Sequence, residues 1–200
     1  MKILIIGGAG TIGKYVTEHL QQAHEVLVAG RSDQHLYVDI ADSSSIQKLL
    51  SAVGPLDAII CVAGEAKWDD FAKLSAADYD IGLRSKLMGQ VNVVRYGVQH
   101  LKPGGSITLS TGILADDPVK KTASAAMVNG GIHSFVQAVA LELGSKARIN
   151  AVSAGVVAAS YEKYQAYFPG HNPVPMQKVV NGYVRSVFGA DSGKIIRIYE

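Results

Sequence analysis

The chain has 200 residues, the size of one ordinary domain, and 48% of them are hydrophobic against 18% charged, which excludes intrinsic disorder. Nineteen basic and seventeen acidic residues leave a formal charge of +2, and no basic run exceeds Lys120-Lys121, so no nucleic-acid partner is expected. The apolar stretch at residues 3–6 is too short for a signal segment or a membrane span, and we expect neither.

Cysteine and histidine are the residue types that would indicate a disulfide or a transition-metal site. Cys61 is the single cysteine, so it can form neither an internal disulfide nor a Cys-x-x-Cys metal site, and we expect a reducing, cytoplasmic location. The six histidines show no metal-ligand spacing, and no bound metal is expected. His133 is interpreted as a packing or surface residue of a helix.

Seven short runs of mostly Val, Ile and Leu alternate with longer segments along the chain. Nearly continuous apolar strands that alternate with helices are typical of a parallel sheet covered on both faces. We therefore predict one doubly wound α/β domain over residues 1–200, with seven mostly parallel strands. The predicted strands are 2–6, 25–29, 36–38, 58–62, 106–110, 148–152 and 194–198.

Apolar residues recur at helical spacing within 46–53, 132–143 and 179–187, which predicts crossover helices there. Two segments depart from this pattern. Residues 30–35 are too few for a crossover helix, so a helix is expected to be missing between the second and third strands. Residues 154–175 are rich in aromatic residues and weakly periodic, which indicates a long loop, or lid, over one end of the sheet.

The first predicted strand runs directly into the sequence GGAGTIG at residues 7–13, and a helical stripe begins inside this turn. A strand, a glycine turn and a helix in this order place a pyrophosphate on the backbone N–H groups of the helix N-terminus. We therefore predict a nucleotide site. The predicted contacts are Gly7, Gly10, Thr11, Ile12 and Gly13.

The end of the second strand favours one nucleotide over another. An acidic residue there would bind the free ribose 2'-hydroxyl of NAD, whereas Arg31 beside Ser32 can pair with the 2'-phosphate of NADP. NADP(H) is therefore the preferred cofactor and NAD(H) a possible one. Asp33 adds a like charge near that phosphate, and a solvated surface arginine is the alternative interpretation.

These features together resemble the short-chain dehydrogenase/reductase superfamily over nearly the whole chain. Besides the glycine turn, Val38-Asp39-Ile40 is similar to its adenine-contacting segment, Val62-Ala63-Gly64 to its Asn-Ala-Gly turn, and Ala154-Gly155 to its Pro-Gly turn beside the nicotinamide. The resemblance implies a Rossmann fold with strand order 3-2-1-4-5-6-7 and a ligand beyond the strand C-termini. The further cofactor contacts that it implies are Asp39, Ile40, Ala63, Gly64, Gly155 and Val156.

The catalytic residues of this family do not carry over as readily. Its members use a tyrosine, a lysine four residues later, a serine and an asparagine. The resemblance places Ala125 at the tyrosine, Asn129 at the lysine, Lys86 at the asparagine, and Thr111 or Gly112 at the serine. None of the nine tyrosines is followed four residues later by a lysine.

The resemblance therefore implies the hypothesis that lysine and asparagine have exchanged helices relative to the family pattern. Lys86, Thr111 and Asn129 are the catalytic candidates, with Lys86 able to hold the cofactor or donate a proton if it is desolvated. A solvated lysine and a water-capped asparagine remain the alternative. Tyr161, Tyr164 and Tyr167 of the lid are the other possible proton donors.

Two functions follow from this resemblance. The first is an NAD(P)(H)-binding oxidoreductase that acts on an unknown small carbonyl or alcohol by a nonstandard proton step. The second is a catalytically silent NAD(P)-binding regulatory or sensor protein. The apolar segments 91–98 and 132–143 correspond to helices that pair across a two-fold axis in the family, so a homo-dimer or homo-tetramer is expected.

Overall fold

The computed structural model describes residues 1–32 and 36–200 and shows a seven-stranded sheet with helices on both faces. The strand order is 3-2-1-4-5-6-7, and all pairs of neighbouring strands are parallel, so the predicted fold and order are confirmed. The strands are β1 (Lys2–Ile6), β2 (Glu25–Gly30), β3 (Leu36–Tyr37), β4 (Leu56–Cys61), β5 (Leu101–Gly112), β6 (Arg148–Ala154) and β7 (Ile195–Ile198).

The three predicted crossover helices form at the expected positions, within Ser43–Val53, Ala123–Leu143 and Met176–Phe188. A π-helical segment, Gly82–Met88, joins two of the helices. The helices are α1 (Gly13–Leu20), α2 (Ser43–Val53), α3 (Ala76–Ile81), α4 (Gly89–Gly97), α5 (Ala123–Leu143), α6 (Tyr161–Tyr164) and α7 (Met176–Phe188).

The alternation of side chains along each strand divides the core into two layers. In β1, Leu4 and Ile6 pack on the face covered by α2, α4 and α5, while Ile3 and Ile5 pack on the face covered by α1 and α7. All four side chains are fully buried. This double cover explains why the strand sequences are apolar throughout instead of alternating with polar residues.

The structure differs from the sequence prediction at the start of β5, which begins at Leu101 instead of Ser106. Its first residues pair with Leu56, after which the register shifts before Ala58. Gly104 has a φ of +76°, a left-handed conformation that L side chains rarely adopt and that glycine tolerates. An irregular strand start that contains a glycine in this conformation is indistinguishable in the sequence from a loop.

The segment predicted as a lid loop, residues 154–175, is ordered into short helical turns. A 3₁₀ turn at Ala158–Ser160, helix α6 and a second 3₁₀ turn at Gln165–Tyr167 follow one another, and Phe168 behind them is buried. The long loop that the sequence predicts therefore consists of consecutive short helical turns, with Phe168 buried and Tyr167 40% exposed.

Two expectations concern the chain between β2 and β3. These strands pair in parallel, with Ala29 beside Leu36. Residues 33–35 lie outside the described residues, so both Asp33 and the expected absence of a crossover helix remain predictions. None of the helices in the described ranges has the length and apolar character needed to cross a membrane.

Candidate functional site

The glycine turn after β1 lies at the C-terminal edge of the sheet, where the strand order reverses between β2 and β4. Its backbone is fixed by two hydrogen bonds, from the Gly7 amide to the carbonyl of Ala29 (2.7 Å) and from the Gly10 amide to the carbonyl of Gly7 (3.0 Å). Gly7 has a φ of +85°. A Cβ at position 13 would lie 2.1 Å from the Gly7 carbonyl oxygen, so that position requires glycine.

The turn presents free hydrogen-bond donors at the start of α1. The backbone amides of Thr11, Ile12 and Gly13 donate to no acceptor among the described residues, and Ile12 at the N-cap provides no side-chain cap. Unpaired amides and the positive end of a helix dipole together favour an anion. The backbone geometry of the turn therefore fits the pyrophosphate of a dinucleotide.

Two cavities lie on either side of this turn and share Gly64. The first has a volume of about 370 Å³ and lies over the ends of β1, β2 and β4. The second has a volume of about 420 Å³ and lies over the ends of β5 and β6, beneath the lid. One cavity on each side of an anion-binding turn is the arrangement that a dinucleotide requires.

The predicted cofactor contacts divide between the two cavities. Gly13 alone lies in neither, because it packs under the turn as the first residue of α1. The first cavity is lined by Gly7, Gly10, Arg31, Ser32, Asp39, Ile40, Ala63 and Gly64. The second is lined by Thr11, Ile12, Gly64, Gly155 and Val156.

Charged and polar groups in the first cavity bear on which dinucleotide would bind. Arg31 reaches Glu65 across the cavity at 3.4 Å, and both side chains are mainly exposed. The Asp39 carboxylate accepts a hydrogen bond from the Ala41 amide (2.9 Å), while the Asp39 amide donates to Ser45 (3.0 Å). The arginine is thus paired in this structure with a carboxylate that a 2'-phosphate would have to displace.

The three catalytic candidates come together. Lys86, Thr111 and Asn129 line a recess of about 190 Å³, and Ala125 lines it as well. Lys86 and Thr111 also line the second cavity, so the recess and the cavity adjoin. Residues from the π-helical segment, from β5 and from α5 thereby reach one place from three distant parts of the sequence.

Lys86 projects from the π-helical segment, a rare conformation that recurs at functional sites. Its side chain packs on Gly64, which has a φ of +117° and where a Cβ would lie 2.8 Å from Lys86 Cα. Burial lowers the pKa of Lys86 to about 8, and the proximity of Cys61 opposes this shift. Lys86 forms no salt bridge with any residue in 1–32 or 36–200.

Thr111 and Ser110 point to opposite faces of β5, as strand geometry requires. The hydroxyl of Thr111 shares a hydrogen bond of 2.9 Å with Nε2 of His133, whereas that of Ser110 shares one of 2.7 Å with the Tyr183 hydroxyl in the core. Burial lowers the pKa of His133 below its usual value. Thr111, with a buried imidazole behind it, therefore faces the recess, and Ser110 does not.

Asn129 is buried, and its Oδ1 accepts no hydrogen bond from a described residue. Ala125 lies one helical turn earlier on the same face of α5 and is 5% exposed. The recess therefore contains an unpaired amide oxygen and, at the position where the family resemblance expects a phenol, only a methyl group.

The tyrosines differ in their access to the cavity. Burial raises the pKa of Tyr183 well above its usual range, and its hydroxyl faces Ser110 on the other side of the sheet. Tyr161 donates to the His171 carbonyl at 3.2 Å. Among the lid tyrosines named above, Tyr164 lines the second cavity.

Sequence reasoning assigned no role to two residues that hold the site together. His133 lies four residues after Asn129 on the same helical face, a spacing that could have linked it to the site. Gln90 is fully buried, donates to the carbonyls of Ala63 (3.3 Å) and Ser110 (2.9 Å), and accepts from the Ser110 amide (3.0 Å). It thus fixes the ends of β4 and β5 relative to each other.

Comparison with known proteins gives three kinds of match. Residues 4–174 match a family model described as enoyl-(acyl carrier protein) reductase. A hydroxynaphthalene reductase of Aspergillus fumigatus is 27% identical over 167 residues, which cover 82% of this chain and 60% of that protein. Versicolorin reductase 1 of Aspergillus parasiticus is 27% identical over 161 residues, which cover 75% and 61%. The chain thus spans less than two thirds of the length of these two curated relatives.

Two solved structures are similar over nearly all of both chains. The crystal structure of protein lin1944 from Listeria innocua is 41% identical, with a TM-score of 0.97 and complete coverage of both chains. A small-chain dehydrogenase crystallised in complex with NADPH is 25% identical, with a TM-score of 0.88 and coverage of 99% of this chain and 96% of that one.

Proposed function

This chain belongs to the short-chain dehydrogenase/reductase family, and we propose that it is a nicotinamide-dependent oxidoreductase that reduces a small carbonyl compound or oxidises the corresponding alcohol. The observation that carries the proposal is the row of unpaired amides at Thr11, Ile12 and Gly13 between two cavities of suitable size. The NADPH held by the similar small-chain dehydrogenase supports the same cofactor class for this chain.

In the proposed complex the adenosine lies in the first cavity and the nicotinamide in the second. Asp39 and Ile40 border the adenine, and Gly155 and Val156 border the nicotinamide. We propose that NADP(H) is preferred because Arg31 can exchange its exposed partner Glu65 for the more highly charged 2'-phosphate. An exposed ion pair contributes little, so this exchange costs little.

When bound, the reduced nicotinamide supplies the hydride that forms the new C–H bond on the carbonyl carbon. Thr111 orients the substrate by donating a hydrogen bond to the carbonyl oxygen while it accepts one from Nε2–H of His133. The π electrons of the carbonyl move to that oxygen, which takes a proton from the Lys86 ammonium. The carbonyl thus becomes a hydroxyl, and Lys86 becomes a neutral amine.

Lys86 suits this proton step because its pKa, lowered to about 8 by burial, lies near neutrality. It is then mostly protonated at pH 7, yet acidic enough to release a proton in the transition state. The unpaired Oδ1 of Asn129 can accept a hydrogen bond from a water in the recess, through which Lys86 regains its proton. This assignment replaces the tyrosine and lysine of the family pattern.

The second candidate function is a catalytically silent NAD(P)-binding regulator. It is favoured by Ala125, which provides no ionisable group in the recess. Two measurements separate the candidates: calorimetric titration with NADPH, and NADPH consumption with a panel of ketones and aldehydes. Binding with turnover supports the oxidoreductase, and binding without turnover on any substrate supports the silent protein. Absence of binding contradicts both.

We also propose self-association through α4 and α5. Leu141 on α5 is 85% exposed, which is unusual for a large apolar side chain beside a buried helix face. Light scattering on the size-fractionated protein should give the mass of a dimer or tetramer, and Leu141→Glu should lower it. A monomeric wild-type protein would contradict this.

A further inference from the structure

The second cavity has an aromatic wall, formed by Trp68, Tyr164 and Phe168. Trp68 comes from the segment after β4, and the other two come from the lid. The centroid of the Trp68 ring lies 5.4 Å from that of Tyr164 and 6.3 Å from that of Phe168, with interplanar angles of 42° and 52°. Tyr167 packs edge-on against Trp68 from outside the cavity, at 5.8 Å and 88°.

The rest of the lining is mainly apolar. Lys86 is the single charged side chain among the described residues that line this cavity, and the polar side chains are those of Thr11, Thr111, Ser160 and Tyr164. A substrate with many hydroxyl groups would leave them without partners here, which is costly. A positively charged substrate would be repelled by the ammonium. The other apolar side chains of the lining are Ile12, Ile113, Leu114, Ala154, Val156 and Val157.

Size narrows the substrate further. The cavity of about 420 Å³ must accept the nicotinamide ring together with the substrate. A planar ring system uses the remaining space most efficiently because it can stack on one aromatic side chain while presenting an oxygen at its edge. Thr111 and Lys86 line both the cavity and the adjoining recess, so that oxygen would be held where the two meet.

We propose that the substrate is an aromatic ketone or aldehyde of one or two fused rings, which packs against Trp68 and points its carbonyl oxygen at Thr111 and Lys86. The inference rests on the proposed function and names the substrate class of the same site. In the reaction, the carbonyl carbon gains a C–H bond and two electrons from NADPH, which becomes NADP⁺. The oxygen gains the proton of Lys86, and the product is the aryl alcohol.

A matched pair of ketones tests the substrate class. The aromatic 1-tetralone and its saturated counterpart 1-decalone share a bicyclic skeleton and a carbonyl, but only the first has an aromatic ring. We expect kcat/KM for NADPH oxidation to be about tenfold or more higher with 1-tetralone, as stacking on a buried aromatic side chain predicts. Equal values, or a preference for 1-decalone, would overturn the inference.

Variants locate the preference at the wall. Trp68→Leu keeps an apolar side chain but removes the ring, so the ratio of kcat/KM for 1-tetralone to that for 1-decalone should fall to about twofold or less. The matched control is Phe71→Leu in the same segment, since Phe71 is 76% exposed and outside the cavity. The control should keep the full preference. If Trp68→Leu also keeps it, Trp68 is not the recognition element.

Trp68 is the one tryptophan of the chain, so its fluorescence reports binding independently of turnover. In the presence of NADP⁺, 1-tetralone should quench this fluorescence saturably after inner-filter correction, and 1-decalone should quench it less. Quenching without NADPH turnover would contradict the proposed oxidoreductase but keep the substrate class. Turnover without an aromatic preference would keep the proposed oxidoreductase and overturn the substrate class. If the protein shows neither quenching nor turnover, the inference is overturned.

Discussion

The two cavities that meet at Gly64 are built from different parts of the polypeptide. The first is shaped mainly by backbone, at the glycine turn and the ends of neighbouring strands. The second is shaped by side chains from the segment after β4, the π-helical segment, β5, β6 and the lid. In the proposed complex the first holds the part of the cofactor that nucleotide-binding proteins share, and the second holds the substrate, which distinguishes one member of a family from another.

This difference separates conformational requirements from chemical ones. At Gly13 a single added carbon would overlap the backbone, so the turn requires glycine there. A requirement for one residue type is visible in the sequence pattern alone. At Lys86 the role depends on burial and on the neighbours that the fold provides. The predictions below test whether the two cavities fail in different ways when they are altered.

The largest effect is expected from Gly13→Ala, which alters the backbone of the turn. Because the new Cβ would lie 2.1 Å from the Gly7 carbonyl oxygen, the turn must move and its amides lose their common direction. We expect NADPH affinity to fall by more than about 100-fold, a loss of about 3 kcal/mol or more. Calorimetric titration measures this change.

Gly130→Ala is the matched control, since Gly130 lies inside α5 with no atom within 4 Å of an added Cβ. It should bind NADPH normally and gain about 0.5–1 kcal/mol of unfolding free energy, because alanine favours a helix over glycine. Normal cofactor binding by Gly13→Ala would show that the turn does not hold the dinucleotide.

Lys86→Met alters the second cavity. We expect this variant to have lower activity and higher stability than the wild-type protein. Loss of a proton donor is expected to reduce kcat about 100-fold or more. Below pH 8 the folded chain holds a partly desolvated ammonium, so at pH 7 the methionine variant should be more stable by about 1–2 kcal/mol after allowance for solvent exposure. Denaturant unfolding measures the difference.

The lowered pKa of Lys86 predicts how the stability and the kcat of the wild-type protein change with pH. The pKa of Lys86 falls from 10.5 to about 8 on folding, so the unfolded chain binds more protons between these values and wild-type stability rises with pH there. The stability gap to Lys86→Met should therefore close by about pH 10.5. Wild-type kcat for carbonyl reduction should decline above pH 8. A flat profile from pH 6 to 10 would rule out Lys86 as the proton source.

A smaller effect is expected where neighbouring residues of β5 face different environments. Thr111→Val removes the hydroxyl beside His133 and should lower kcat about 10- to 50-fold with little loss of stability. Thr111→Ser keeps a hydroxyl and should retain most of the wild-type kcat. Ser110→Ala leaves the Tyr183 hydroxyl unpaired in the core and should cost about 1–2 kcal/mol of stability at normal kcat. The reverse pattern would place Ser110 at the site.

The smallest effect concerns the choice of cofactor in the first cavity. Arg31→Ala should weaken NADPH binding about tenfold and leave NADH binding nearly unchanged, because in the proposed complex the exposed guanidinium meets the nucleotide at the 2'-phosphate, which NADH lacks. Glu65→Gln removes a competing carboxylate and should strengthen NADPH binding about twofold. Equal dissociation constants of the wild-type protein for NADPH and NADH would contradict the assignment of NADP(H).

Much of the fold could be predicted from the sequence because strands buried on both faces leave an unbroken apolar signal, as in Ile3 to Ile6. The start of β5 could not, since the register shift there and the left-handed conformation of Gly104 leave a sequence that resembles a loop. The order of the lid could not either, because the packing of Phe168 depends on partners such as Trp68 from a distant segment.

The site divides in the same way. The glycine turn is local in sequence, and its pattern predicts the cradle. His133 gains its role from a hydrogen bond to Thr111, a contact across 22 positions that no local pattern reports. Gln90 binds two strand ends at once, and its type alone gives no sign of this.

The most direct test of the whole account is a crystal structure of the protein soaked with NADPH. We expect the pyrophosphate on the amides of Thr11, Ile12 and Gly13, and the nicotinamide in the second cavity beside Thr111 and Lys86. A soaked crystal with no dinucleotide on the glycine turn, or with the nicotinamide ring outside the second cavity, would contradict it.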